Sequence, residues 1–335
     1  MNCLRRLSSF GLVAALLALA ACAVTRDAPH GAVRIGADVV FVPGMHWMQS
    51  TRERCETAGG AALVECFVGE MRNAGASPAA VSFSRRLDQP GYARDFRPGG
   101  VADMAYVVFP YRANENQAAF LVNGKPALID VDDERLLALD ALQKDATYAR
   151  MARDSAQATL WPGVRSGRDY PDIERRADAG TDYVYSYRLR DRCHACAVLG
   201  TAWFAFEFDA QGGFRGTKLA GVTRAVKDKA PAITDTAQPI VVSAGEEFSI
   251  AVAANRSTGY AWSLAQPLDT AKVRIVESRY HESQARRPGT PGAGSWTFGA
   301  LRPGKAEIVL GYRRPWEQEQ VPISVRKFTI VIEPR

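Results

Sequence analysis

The chain has 335 residues, 47% of them hydrophobic, 23% charged and 9% aromatic. That is more than one compact core usually holds, so two domains are expected, and the composition excludes a disordered, collagenous or multi-span membrane chain. The formal net charge of +6 falls by two if Arg5 and Arg6 leave with the first segment; with no long run of Lys or Arg, nothing indicates nucleic acid.

An apolar run from Phe10 to Ala21 follows Arg5 and Arg6. It is too short to cross a hydrocarbon core of ~30 Å, and its flanks are those of a signal peptide. Leu19-Ala20-Ala21-Cys22 resembles the bacterial lipobox. The resemblance implies a lipoprotein signal over 1–21, acyl chains on Cys22 and a polar tether over 22–31. A plain secretory signal cut at an A-x-A-like site is the alternative. Ala23 after the cysteine implies, by the same resemblance, the outer membrane, facing the periplasm or the surface. Several acyl chains together give durable anchoring, where one alone is marginal.

Once Cys3 leaves and Cys22 is lipidated, four cysteines remain: Cys55, Cys66, Cys193 and Cys196. Outside the cytoplasm an even remainder reads as two disulfides. Three pairings are possible, and the local one, Cys55–Cys66 with Cys193–Cys196, is favoured. Cys193-His194-Ala195-Cys196 is also a C-x-x-C, the form of a redox centre, but the Val, Trp and Phe that follow it read as a strand rather than the helix N-terminus a reactive thiol uses. Zinc on four cysteines would need a second close pair, and Cys55 and Cys66 are too far apart in sequence for one.

Residues 32–226 mix both periodicities and are expected to form an α+β domain. Val39 to Val42 reads as a strand, and Leu63 to Asn73 as a helix stopped by Gly75. Met104 to Tyr111 and Ala118 to Val122 read as strands, with Asn123-Gly124 turning the chain into Lys125 to Val131. Asp132-Asp133-Glu134 is expected to open a helix reaching about Arg153. Thr201 to Asp209 and Phe214 to Val222 read as a hairpin across Gln211-Gly212-Gly213. His46 beside Trp47 and Met48 reads as packing or a loop rather than ligation. The chain has no H-E-x-x-H, G-x-S-x-G or G-x-x-x-x-G-K-[ST], so neither an enzyme, a metal nor a cofactor is expected. The polar, proline-bearing stretch 227–238 reads as a linker.

From 239 to 335 the pattern is short strands and turns. Phe248, Ile250 and Val252 alternate with small or polar residues, as do Val273 and Ile275, Trp296 and Phe298, Ile308, Leu310 and Tyr312, and Phe328, Ile330 and Ile332. About seven strands without a helix predict an all-β, immunoglobulin-like sandwich. Three turns stand out: Asn255-Arg256-Ser257-Thr258-Gly259-Tyr260, the stretch Gly289 to Ser295 with Gly292-Ala293-Gly294-Ser295 at its end, and Arg314-Pro315-Trp316. Turns at one end of a sandwich can form a joint binding edge.

The segment N-R-S-T-G-Y-A-W at Asn255 resembles the N-P-T-T-G-Y-x-W motif of the chagasin-type cysteine-peptidase inhibitors. G-A-G-S stands where that family has G-x-G-G, and R-P-W matches its third motif, in family order. The resemblance implies a reversible wedge in the cleft of a papain-like cysteine peptidase. Thr258 would sit over the catalytic cysteine, Gly292 to Gly294 along the non-primed side, and Trp316, presented by Pro315, on the primed side. Arg256 replaces the family proline and Ser295 the last glycine, which predicts a less rigid first loop and a less close second approach. Tyr260 and Trp262 read as core rather than contact, and Arg314 as a partner of Glu317. The expected protein is a monomeric, lipid-anchored inhibitor in a bacterial envelope. Two alternatives stay open: an envelope lipoprotein whose sandwich is a generic protein-binding or assembly module, and a thiol–disulfide enzyme using Cys193 and Cys196.

Overall fold

Successive side chains on a strand point to opposite faces, and in this protein that alternation sorts apolar residues into a stack of layers. The computed structural model describes residues 34–113, 116–155, 158–162, 171–193, 195–225, 233–234, 236–282, 290–317 and 320–335. The expected signal peptide, Cys22 and the tether lie outside them, as do His194, most of the linker and Gly289. Val33–Arg335 make one compact unit.

Three helices come first: α1 (Trp47–Cys55), α2 (Gly60–Asn73) and α3 (Pro78–Arg86). The Cys55–Cys66 disulfide ties α1 to α2. Ser77 caps α3 by accepting the Ala80 N–H, and Pro78 fills the first turn, where no donor is needed. Trp47 packs edge-on against Phe41, Phe67 and Tyr92, whereas His46 and Met48 beside it are exposed. Strands β1 (Tyr92–Arg97), β2 (Asp103–Val108), β3 (Gln117–Val122) and β4 (Leu128–Asp130) form an antiparallel sheet in that order. Ala105, Val107, Phe120 and Val122 face α3, while Met104, Tyr106, Leu121 and Ile129 face the next layer.

That layer follows the short helices α4 (Leu139–Lys144) and α5 (Ala146–Asp154). It is built from β5 (Ala158–Pro162), β6 (Asp172–Arg175), β7 (Thr181–Asp191), β8 (Val198–Phe208) and β9 (Phe214–Arg224). Tyr183, Tyr185 and Tyr187 with Phe204, Phe206 and Phe208 face the first sheet. Cys193–Cys196 closes the β7–β8 turn, so the described disulfides follow the local pairing, and the C-x-x-C lies in a hairpin rather than at a helix N-terminus.

The remaining strands are β10 (Ile240–Ser243), β11 (Glu247–Ala254), β12 (Ala261–Leu264), β13 (Val273–His281), β14 (Gly292–Ala300), β15 (Gly304–Arg313) and β16 (Ser324–Glu333). They make two sheets, β10-β16-β15-β12 and β11-β14-β13. Phe248, Ile250, Phe298, Ile308, Leu310, Phe328 and Ile330 fill the space between them, which makes this part a β-sandwich of the alternating residues read from the sequence.

The outer face of β11-β14-β13 is covered by β7-β8-β9. Trp203 and Val184 pack with Val276 and Leu301, and a Cβ on Gly299 would fall 2.8 Å from the Trp203 ring. Buried Arg274 donates to Asp172 Oδ2 at 2.9 Å and Glu174 Oε1 at 2.5 Å. Buried Glu247 accepts from the hydroxyls of Thr201 at 3.0 Å and Thr223 at 3.2 Å. Burial pushes the Glu247 carboxyl above the ordinary glutamate range, against the opposing pull of Arg188 and the two hydroxyls.

Three local expectations are corrected. Val39 to Val42 is not a strand: Ala37–Val39 is a 3-10 turn and only Val40 bridges to Ala93, because Val39 and Phe41 must enter two different cores. The helix expected from Asp132 to Arg153 is not one helix: Glu134–Leu136 is a 3-10 turn ended by extended Leu137, and α4 is broken at Asp145, whose extended backbone and carboxylate, accepting the Thr147 and Tyr148 N–H groups, start α5 afresh. The strand expected to reach Tyr111 ends at Val108, before the turn at Pro110.

Candidate functional site

The stretch Asn255–Tyr260 joins β11 to β12, and Arg314–Trp316 follows β15, the strand paired with β12. Pairing of Ala261 with Arg313 brings the two turns to one end of the sandwich.

The first turn holds itself. Asn255 Oδ1 accepts the Ser257 N–H at 3.2 Å and the Ser257 hydroxyl at 2.7 Å. The Thr258 hydroxyl donates to Asn255 O at 2.6 Å. These local bonds wind Arg256–Thr258 into one 3-10 turn. Gly259 ends it at φ 77°, in the left-handed region that suits glycine. A second restraint comes from the sheet below. The Tyr312 hydroxyl accepts the Asn255 N–H at 3.0 Å and donates to Asn255 O at 3.2 Å. Its ring stacks on Trp262 at 4.9 Å and lies 5.5 Å from Tyr260, while Trp262 Nε1 donates to Ala253 O. Tyr312 is a site residue that sequence reasoning missed; its place in the β15 alternation marks only a strand position, and its phenol is placed by the fold.

Arg256, which stands where the resemblance has proline, lays its guanidinium 4.1 Å from the centre of the Tyr280 ring. The turn therefore has a cation–π restraint in place of a proline ring. Arg256, Tyr280, Trp262 and Trp296 border a depression of about 650 Å³ at the mouth of the sandwich.

Trp316 is 69% exposed, so it is not a core anchor. A Cβ on Gly259 would lie 3.0 Å from the Trp316 ring, which sets the indole across the first turn. Arg314 pairs with Glu317 at 3.2 Å, as expected, and also lies over the Tyr260 ring at 5.0 Å. Tyr260 and Trp262 are half-buried and form the aromatic floor under both turns.

Gly292, Ala293, Gly294 and Ser295 are not a loop. They begin β14 and pair on both sides, Gly294 with Val252 and Tyr280 and Ala293 with Ala253 and His281. Their small side chains make room for rings: a Cβ on Gly292 would lie 2.6 Å from the Tyr280 hydroxyl, and one on Gly294 2.8 Å from the Trp296 ring. Ser295 meets His281 Nε2 at 2.9 Å. The stretch still reaches the same end of the sandwich, since Gly292 is opposite Ala254, the residue before the first turn. Among the described residues, no group of three or more His, Cys, Asp or Glu is placed to hold a metal, and no helix is long and apolar enough to cross a membrane.

Fold and site together define a β-sandwich that presents two pinned turns and one exposed indole at a single end. Residues 241–332 match the family model described as chagasin family peptidase inhibitor I42. Amoebiasin-2 of Entamoeba histolytica is 30% identical over 91 residues, which are 27% of this chain and 74% of that protein. The chain belongs to the chagasin family of peptidase inhibitors through this segment. Among solved structures, it is similar to the cysteine protease inhibitor EhICP2 from Entamoeba histolytica (24% identity, 28% of this chain, 88% of that one, TM-score 0.25). It is also similar to Amebosin (25% identity, 32% of this chain, all of that one, TM-score 0.25). A third is PbICP-C, solved in complex with falcipain-2 (16% identity, 34% of this chain, 98% of that one, TM-score 0.23).

Proposed function

We propose that this protein is a reversible inhibitor of papain-like cysteine peptidases and that it acts with the free end of its sandwich. The observation that carries this reading is Trp316: a large indole, 69% exposed, laid over Gly259 at the tip of the first turn, in a segment of the chagasin family. An exposed aromatic on a rigid turn is the usual anchor of a protein interface. Turns pinned beforehand reduce the ordering cost of binding.

In this reading the turn around Thr258 enters the cleft above the catalytic cysteine, and Trp316 stacks beside it on the primed side. Arg256 and Arg314 flank the wedge. The start of β14, Gly292–Ser295, contributes as a strand end with small side chains beside the first turn. The helices and sheets before residue 226 serve as the base that holds the sandwich. We read the protein as anchored by acyl chains on Cys22 in a bacterial envelope, working as a monomer; incorporation of labelled palmitate into the wild type and not into Cys22→Ser tests the anchor.

Inhibition of papain by the full-length chain tests the function, with Trp316→Ala as the comparison. Truncation of a central aromatic should weaken inhibition by about thirtyfold, or ~2 kcal/mol, with no change in unfolding midpoint because the ring is outside the core. A change below threefold would place Trp316 outside the interface. Absence of inhibition by the wild type would favour a binding module that kept the family's turns for another partner.

A further inference from the structure

Among the described residues nine large apolar side chains are exposed, and four of them fall within ten residues: Trp316, Val321, Ile323 and Val325. Their exposures are 69%, 86%, 65% and 51%. Single exposed apolar residues need no explanation, but a contiguous group marks an interaction surface. Val321 and Ile323 lie on the limb that bends at Ile323 into β16, and Val325 stands on the outer face of that strand opposite Gly311. Pro322 packs on that same outer face and props the limb against the sandwich: a Cβ on Gly311 would lie 2.8 Å from its ring. The limb is also pinned through its backbone, the Ile323 N–H donating to Tyr312 O at 3.0 Å. Further along the same outward face of β16 the chemistry is that of a solvated strand, with Lys327 paired to Glu307 at 2.6 Å. The switch from charged to apolar occurs toward the end of the sandwich that carries Trp316.

We infer that Val321, Ile323 and Val325 form an apolar apron that docks on the surface of the target peptidase beside its cleft, extending the contact made by Trp316. The inference rests on the function proposed above. The occupant is the peptidase because the apron and the indole lie on one connection, between β15 and β16. The same pinning by Tyr312 holds both the first turn and the apron, so one rigid body presents them together. The apron would set how tightly different papain-like enzymes are held, since it meets the surface around the cleft rather than the catalytic groups.

The test is the full-length chain carrying Val321→Ser, Ile323→Ser and Val325→Ser together, assayed for papain inhibition, unfolding midpoint and sedimentation. Loss of three buried aliphatic contacts should raise the inhibition constant by roughly tenfold or more, with the midpoint and monomeric state unchanged. Wild-type inhibition with less than a twofold change in the triple variant would overturn the apron and leave the proposed function standing. A wild-type dimer that the triple variant dissolves, with inhibition unchanged, would also overturn it, by assigning the face to a second copy of the chain. Absence of inhibition by the wild type would overturn both readings.

Discussion

Replacing Tyr312 by Phe removes one oxygen and tests whether the first turn is shaped in advance. The hydroxyl makes two bonds to Asn255, accepting its N–H at 3.0 Å and donating to its carbonyl at 3.2 Å. The ring is retained, so stacking on Trp262 at 4.9 Å and contact with Tyr260 should survive. A net hydrogen bond contributes about 1 kcal/mol. Both groups of Asn255 are half-buried, so water recovers part of the loss, and the expected total is about 1–2 kcal/mol. Some of that appears as lower stability. The rest appears on binding, because a turn released from its floor must be ordered again in the complex. If about half of that total falls on binding, the inhibition constant for papain should rise by about two- to fivefold, with a modest drop in unfolding midpoint. The slower step should be association, since the free turn samples unproductive shapes. An unchanged inhibition constant alongside a lowered midpoint would refute the reasoning: the phenol would then stabilise the sheet without shaping the turn.

Three further outcomes follow from the same geometry. Gly259→Ala places a Cβ at φ 77° and 3.0 Å from the Trp316 ring, at a cost of about 1 kcal/mol for the left-handed backbone; Trp316 fluorescence should shift and inhibition should weaken, and a wild-type spectrum would contradict the indole's position over the turn. Arg274→Ala removes a buried guanidinium from two partly exposed carboxylates, Asp172 and Glu174, and should lower unfolding free energy by about 2–3 kcal/mol without changing inhibition; an unchanged unfolding curve would show that this contact does not hold the sandwich to its base. Because burial raises the Glu247 carboxyl, the folded chain keeps that proton to higher pH than the unfolded chain, whose value is about 4.3. Its stabilising contribution is complete below the unfolded value and is lost as pH rises through the raised one. Denaturation across pH should show the stability of wild type relative to Glu247→Gln falling above about pH 4.3, and a constant difference would exclude the effect.

Much of the sandwich was legible in the sequence because its signal is local. Phe248, Ile250 and Val252, or Phe328, Ile330 and Ile332, alternate on a period of two, and all six enter the inter-sheet core. The N–R–S–T–G–Y segment is a turn because Asn255, Thr258 and Gly259 act on their own backbone neighbours, which requires no distant partner. The cysteine pairing was likewise legible from proximity in the chain. Gly292–Ser295 was misread because small residues look like a loop when their neighbours are unknown. Only pairing with β11 on one side and β13 on the other shows that the glycines clear space for Tyr280 and Trp296. The break at Asp145 was missed because an aspartate suits a helix interior poorly but not decisively, and its capping bonds decide the matter.

By itself, then, the sequence determined which segments alternate, where the turns fall and which family's motifs they carry, since these depend on spacing along the chain. Tertiary structure alone decided what those features meet. It placed the Tyr312 phenol beneath the first turn, laid Trp316 across Gly259, and buried Arg274 and Glu247 where the sandwich rests on its base. The physical reason is distance along the chain: Asn255 and Tyr312, or Arg274 and Asp172, are brought together by strand register and sheet packing, and no local pattern encodes a contact between residues so far apart.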